Sequence, residues 1–208
     1  MIFDPNHLSP GAFYHFMISV VVPRPIAFVS TVSASGGLNV SPFSYFNAIT
    51  NRPPLIGISI NSRAGGPKDT LRNIRETGEF VINIVNEALA ARMVKTSGDW
   101  PEEVDEFELT GLTPVPSDLV KAPRVGESPV SMECRLHREI ELGDAAFVVG
   151  EILRAHVSDA VITDGRVDAE KLRPLGRLGG DGYSVVRDVI HLPRPRVERA
   201  SGGRDRPA

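Results

Sequence analysis

Two short stretches hold the side chains best suited to gripping a small molecule. The first, Ser41 to Thr50 (SPFSYFNAIT), interleaves the rings of Phe43, Tyr45 and Phe46 with the hydroxyls and amide of Ser41, Ser44 and Asn47. Pro42 has no N–H to give a sheet ladder, so an edge or a bend is expected there. A backbone freed from pairing offers N–H and C=O groups to a flat polar ligand, with rings for its faces and hydroxyls for its rim. The second stretch, Ser62 to Thr70 (SRAGGPKDT), is a glycine loop running into a helix start. Helix N-termini present unpaired N–H groups and a partial positive charge. A phosphate is stabilised there, and more so where Ser62, Arg63, Lys68 and Thr70 converge on it. The spacing is not that of a P-loop, which needs Gly-Lys-Ser/Thr after a fixed spacer. Each stretch also admits a purely structural reading: an aromatic corner packed into the core, and a capped helix with solvated charges.

The elements around them follow from periodicity and turn residues. Ile26–Val32 has the β-branched and aromatic content of a strand. SASGG then marks a turn and LNVSPF resumes an extended segment, which predicts a hairpin. In Leu55–Asn61, Ile56, Ile58 and Ile60 share one face. Leu55, Gly57, Ser59 and Asn61 share the other, small face, which is open either to solvent or to a bound molecule. Asp69 is expected to cap a helix with an apolar stripe at Leu71 and Ile74, ending at Gly78. EFVINIV reads as a strand and NEALAARMVKTSG as a second helix. Residues 99–129, rich in Pro, Gly and acid, read as a long surface excursion. Two long strands follow, VSMECRLHREIEL and AAFVVGEILRAHVSDAVI, joined at Gly143-Asp144. A short helix, a glycine loop and a final strand close the ordered part, taken as one domain over residues 1–193. Residues 194–208 form a Pro/Arg-rich tail expected to be mobile. Six or seven strands clustered as hairpins, with two or three short helices, predict a mainly β, antiparallel barrel with peripheral helices rather than a doubly wound sheet.

Composition narrows the function classes. The chain has 208 residues, 41% hydrophobic and 24% charged, with net charge −3. That balance gives no general affinity for nucleic acid or anionic membranes. No apolar run approaches the roughly 20 residues of a membrane span, and the N-terminus lacks a signal peptide pattern, so a cytoplasmic address is the default. Cys134 is the only cysteine and is expected to be a small buried hydrophobe. His7, His15, His137, His156 and His191 show no metal-ligand spacing; His137 and His156 fall in predicted strands and read as structural. The acidic run DWPEEVDEFE reads as a solvated loop. No Gly-x-Ser-x-Gly elbow is present, and RLGGDGY lacks the Gly-x-Gly-x-x-Gly spacing.

In order and completeness, several segments resemble the flavin reductase-like proteins that bind FMN in a split β-barrel, a group including flavoredoxins and the reductase components of two-component monooxygenases. These segments are PRPIAFVSTVSASGGLNVSPFSYFNAITNRPPLIGISI, KDTLRNIRETGEFVINIV, VDEFELTGLTPVPSDLVKAPRVGESPVSMEC, VVGEILRAHVSDAVI and LRPLGRLGGDGYSVV, from about Val22 to Val186. The resemblance implies a homodimer with FMN near the subunit interface. It implies that Asn39, Ser41, Phe43, Ser44 and Tyr45 line the isoalloxazine ring, with Thr31 on the neighbouring strand. Asn61, Ser62, Arg63, Lys68 and Thr70 would take the phosphate and ribityl chain. Arg177 and Tyr183 would complete the pocket or its dimer wall. The implied activity is reduction of FMN by NADH or NADPH, with a monooxygenase or other redox protein downstream. Two alternatives stay open: an electron carrier that keeps FMN bound and works with a protein redox partner, and a flavin-free binding module. The implied chemistry belongs to the cofactor, so no acid or base residue is assigned.

Overall fold

The structure is a computed structural model that describes residues 1–63 and 66–195. Its centre is one seven-stranded antiparallel sheet. In chain order the strands are β1 (Ala27–Val32), β2 (Leu38–Phe43), β3 (Phe46–Asn51), β4 (Pro54–Asn61), β5 (Glu79–Ile84), β6 (Val130–Leu142) and β7 (Ala145–Val157). Their spatial order is β2-β1-β5-β6-β7-β4-β3. The edge strands β2 and β3 are thus consecutive in the chain, separated only by Ser44 and Tyr45. A sheet whose two edges are joined by so short a link must curl, which gives the split β-barrel. The predicted hairpins β1/β2 and β6/β7 are both present, the second with register shifts at Val149/Gly150 and Ile152/Arg154.

β1 has no polar face, because both its sides are covered. Ala27 and Val29 point into the barrel with Ile56, Ile58, Ile60, Phe80, Ile82 and Val148. Phe28 points outward into a second core with Val40, Val85, Leu89, Met93 and Phe107. Each fully buried side chain of this kind contributes about 1.5–3 kcal/mol. The second core corrects the reading of residues 99–129. Phe107, Leu112 and Val125 from that segment are buried there, and Val120 and Ala122 pack against Val81, so the segment is an outer layer of the barrel. α4 (Glu106–Thr110) lies within it, capped by the Asp105 carboxylate, which accepts from the N–H groups of Phe107 and Glu108.

In β4 the three isoleucines are buried as the alternation requires. The opposite, small face divides. Gly57 lies directly under the Phe147 ring, which leaves no room for a Cβ, while Ser59 is half-buried and Asn61 exposed. α2 (Asp69–Thr77) buries Leu71 and Ile74 and ends at Gly78 in the left-handed conformation, φ 71°, which glycine adopts without strain. α3 (Ala90–Thr96) follows a 3-10 turn at Glu87–Leu89. α1 (Pro10–Val20) has no counterpart among the sequence expectations, although Ser9–Pro10 is a fair start signal: the Ser9 hydroxyl accepts from Ala12 N–H. A small three-stranded sheet joins Arg24–Pro25 to the hairpin Leu175–Arg177/Tyr183–Val185. Among the described residues no helix is long and apolar enough to cross a membrane. Apart from Arg194 and Pro195, the tail lies outside the described residues.

Candidate functional site

The link between the two sheet edges builds one wall of the site. Pro42 sits in edge strand β2, where it pairs only with Phe28 of β1. The chain then crosses at Ser44–Tyr45, and the Tyr45 carbonyl accepts from Ser59 N–H at 2.8 Å. Arg24 holds this corner from behind. It is buried, and its guanidinium donates to the carbonyls of Ile18 (2.8 Å), Val21 (2.7 Å) and Leu178 (3.1 Å) and to the Ser44 hydroxyl (3.4 Å). It also stands 5.9 Å from the Tyr45 ring centroid. Burial raises the Tyr45 phenol above its ordinary value, the nearby Tyr14 phenol adds to this, and Arg24 opposes it.

The start of α2 builds the other wall. Lys68 occupies the N-cap position in an extended conformation, and no side chain caps the helix. Asp69 is therefore not the expected cap. It is the first helical residue and pairs with Arg72 at 2.8 Å and Arg63 at 3.3 Å. The first N–H groups of α2 are left without a side-chain acceptor, a favourable place for an anion. Lys68 is half-buried and has no ion-pair partner among the described residues.

Between these walls lies a cavity of about 210 Å³, lined by Tyr14, Pro42, Phe43, Ser44, Tyr45, Ser59, Asn61 and Lys68. A more apolar groove of about 460 Å³ adjoins it across Ser44 and Tyr45, floored by Met17, Val21, Pro23, Pro25 and Phe46. The two stretches singled out in the sequence thus meet at one site.

Phe43, Ser44, Tyr45, Asn61 and Lys68 reach that cavity; the other expected residues stand elsewhere. Thr31 and Thr70 are fully buried and Asn39 nearly so. Asn39 Nδ2 donates to both Glu106 oxygens at 3.1 Å, and its Oδ1 accepts from Thr70 (2.8 Å) and Thr31 (3.3 Å). Asn73 Nδ2 donates to Thr31 at 3.0 Å. These side chains bind one another, away from the cavity between the two walls. Burial raises the Glu106 carboxyl above the usual range; the N–H of Val40 and the amide of Asn39 oppose this, and Asp69 adds to it. Ser41 is half-buried on β2 and does not line the cavity. Ser62 faces a separate depression beside Pro67 and Asp144, and Arg63 is engaged by Asp69. Arg177 stacks on Tyr183, its guanidinium 4.5 Å from the ring centroid. That hairpin meets the site from behind, by pairing its backbone with Arg24–Pro25 and through the Leu178 carbonyl on the Arg24 guanidinium.

Tyr14, Arg24 and Glu106, which line or support these walls, were missed in the sequence, whereas Ser59 lies on the small face already singled out. Tyr14 belongs to the unforeseen α1. Glu106 lies in the acidic run read as solvated; its one signal was Asp105 followed by an apolar Phe107. Away from the cavity, Glu133 is fully buried. It accepts from the N–H groups of Asp118 (3.0 Å), Leu119 (2.6 Å) and Val120 (3.2 Å) and meets His156 Nε2 at 2.5 Å. His156 is half-buried against Glu133, whereas His137 is exposed. Burial, with Glu133 beside it, pushes the Cys134 thiol well up, so it stays protonated and inert.

Comparison with known proteins agrees with this architecture. Residues 19–171 match the flavin reductase like domain family. The protein BH2278 of Halalkalibacterium halodurans is 40% identical over 206 residues, covering 96% of this chain and 99% of its own length. Nitrilotriacetate monooxygenase component B from Bacillus cereus superposes with a TM-score of 0.89 at 37% identity, covering 92% of this chain and 98% of that one. The 2-nitrobenzoate 2-nitroreductase NbaA of Pseudomonas fluorescens gives 0.87 at 32% identity, covering 97% and 100%.

Proposed function

The chain belongs to the flavin reductase-like family, and from that premise we propose that it binds FMN in the cavity between the Ser44–Tyr45 corner and the start of α2 and serves as an NAD(P)H-dependent flavin reductase. One observation carries the reading: a single cavity has an aromatic, hydroxyl-bearing corner on one wall and Lys68, at the mouth of an uncapped helix, on another. The donor set fits the cofactor. Lys68 and the first N–H groups of α2 suit a phosphate dianion. Phe43 and Tyr45 supply aromatic contact for a flat ring system, and Ser44, Ser59 and Asn61 supply hydrogen bonds for its edge and chain.

Bound there, FMN would accept a hydride from the nicotinamide of NADH or NADPH at N5. The protein's part is to hold and orient. Lys68 would offer positive charge to the phosphate, and Ser44 and Tyr45 would line the ring system. No side chain is required as acid or base. A nitroreductase among the relatives supports reducing chemistry, and a monooxygenase component supports delivery to a redox partner.

We also propose that residues 1–193 work as one unit in a cytoplasmic homodimer. Tyr14, Met17, Val20, Val21 and Val22 are exposed around α1 and beside the apolar groove. Contiguous exposed apolar surface of this kind favours a protein partner, and a second copy would cover it.

The test is an FMN titration followed by anaerobic mixing with NADH and NADPH. The expected result is saturable binding and rapid bleaching near about 450 nm, the usual flavin band. Saturable binding without bleaching would favour the electron-carrier alternative; no binding would sink the assignment.

A further inference from the structure

We propose that Arg24 is a positioning residue for the flavin site: it fixes the Ser44–Tyr45 corner, and so the wall between the cavity and the apolar groove, by tying it to the end of α1 and to the glycine loop at Leu178. This rests on the reading of the cavity as the flavin site.

The geometry is specific to a guanidinium. Nη1 donates to two carbonyls at the end of α1, Ile18 and Val21. Nη2 donates to Leu178 in the glycine loop. Nε faces the Ser44 hydroxyl, and the cation lies beside the Tyr45 ring. Three segments far apart in sequence converge on one planar, five-donor group. A lysine ammonium has three donors on a point charge and cannot reproduce that fork. Arg24 is 6% exposed, and among the described residues no carboxylate pairs with it. Its charge is met by three carbonyl oxygens, the Ser44 hydroxyl and the Tyr45 ring, so the guanidinium is occupied in holding these segments in place.

The corner needs such a device. Ser44 and Tyr45 lie outside the strands they join, and one backbone bond, from Ser59 N–H to the Tyr45 carbonyl, ties them to the sheet. Both residues belong to the two adjoining cavities. A small rotation of the corner would widen one cavity at the expense of the other. Arg24 prevents it.

The test uses the full chain labelled with 3-fluorotyrosine. There are three tyrosines, so the fluorine spectrum is simple, and Tyr45→Phe assigns the resonance of interest. In flavin-free Arg24→Lys the Tyr45 resonance is expected to shift or broaden, and FMN Kd to rise about tenfold, the effect of one lost charge-assisted hydrogen bond. A control, Asp168→Ala, removes the cap of α5 (Ala169–Leu172), where Asp168 accepts from Glu170 N–H. It lowers stability elsewhere and is expected to change neither readout. A purely structural Arg24 would lower the melting temperature yet leave the Tyr45 resonance and FMN Kd of the folded protein as in the wild type; that result overturns the proposal. Should Arg24→Lys not fold, Ser44→Ala removes the acceptor on the corner; an unmoved Tyr45 resonance there overturns it equally. If the wild type binds no FMN, the flavin reading fails, and the flavin-free fluorine spectrum alone still decides whether Arg24 holds the corner.

Discussion

The two sides of the start of α2 carry similar residues and are put to opposite uses. On one side Lys68, Asn61 and Ser44 face a cavity. On the other side Thr70, Asn73, Asn39, Thr31 and Glu106 are closed into a buried network. Asn39 uses both ends of its amide in that network. Only Asn73 Oδ1 lacks a protein partner among the described residues. The difference shows how one helix start can present a buried side and an open side. The closed side locks α2 onto β1 and β2 through a polar network satisfied at every buried atom but Asn73 Oδ1, which rigidifies at modest net gain. The open side inherits that rigidity, so Lys68 and the helix N–H groups stand ready for a ligand.

The comparison breaks most easily at Lys68. Lys68→Ala removes a charge that no group among the described residues pairs with, so FMN affinity is expected to fall about 10- to 100-fold, the worth of a charge-assisted hydrogen bond. Stability should change by less than about 0.5 kcal/mol, as for other substitutions away from the core. Titration by flavin fluorescence and a urea melt read both numbers. Thr70→Val should do the reverse. It deletes a buried bond to Asn39 and is expected to cost about 1–2 kcal/mol in the urea melt, while FMN affinity stays within about threefold, a difference near 0.6 kcal/mol. A large affinity loss for Thr70→Val with little loss of stability would mean that the threonine hydroxyl leaves Asn39 to meet the phosphate.

This contrast also marks what the sequence could say. The barrel was legible because its strands alternate or run apolar, as in Leu55–Asn61, and because turn residues separate them. Of the two stretches SPFSYFNAIT and SRAGGPKDT, the first supplies Pro42 to Tyr45 to the cavity and the second supplies Lys68 alone. The direction of each side chain at a strand edge or a helix mouth was not legible. Lys68 and Thr70 lie two residues apart on a helix start and point to different compartments, because successive helical positions do not share a face. Arg24 was unreadable for a different reason: its partners are mostly carbonyl oxygens, which leave no trace in side-chain pattern. Glu106 was hidden because an acidic run looks solvated until one of its members is seen to meet Asn39. α1 was missed although Ser9–Pro10 announces it, since its apolar residues show no clean one-sided stripe and most of them stay exposed.

Glu106 sharpens the closed side of the comparison through pH. Its carboxyl titrates above the ordinary glutamate value in the folded chain, chiefly because it is buried. The folded state therefore holds a proton that the unfolded chain has already released. Stability must fall as pH rises from the ordinary glutamate value, about 4.3, through the raised one, and it is largest below that window. Glu106→Gln removes this titration. The amide turns its own NH₂ toward the Asn39 donor, so the variant should be less stable throughout. The informative quantity is the slope: the advantage of the wild type over Glu106→Gln should shrink as pH rises from the ordinary glutamate value. Urea midpoints over that rise in pH read it. An advantage that grows with pH would mean that Glu106 is held ionised by its N–H donors, and the network would then carry a buried negative charge.

The smallest effect is expected at Arg63, and it tests where the boundary between the two sides runs. Arg63 stands beside the anion site in sequence, yet its guanidinium contacts Asp69 at 3.3 Å, and its side chain is 33% exposed. Partly exposed pairs of this kind are worth about 0–1 kcal/mol and weaken with salt. Asp69 is held a second time by Arg72 at 2.8 Å, so α2 should keep its start when Arg63 is removed. Arg63→Ala is therefore expected to weaken FMN binding only about two- to threefold, through the lost long-range field. Most of that loss should vanish at high salt, whereas the Lys68→Ala loss, arising from direct contact, should persist. If Arg63→Ala instead matched Lys68→Ala and resisted salt, Arg63 would have to exchange Asp69 for the ligand. The anion site would then extend across the helix mouth toward the buried network.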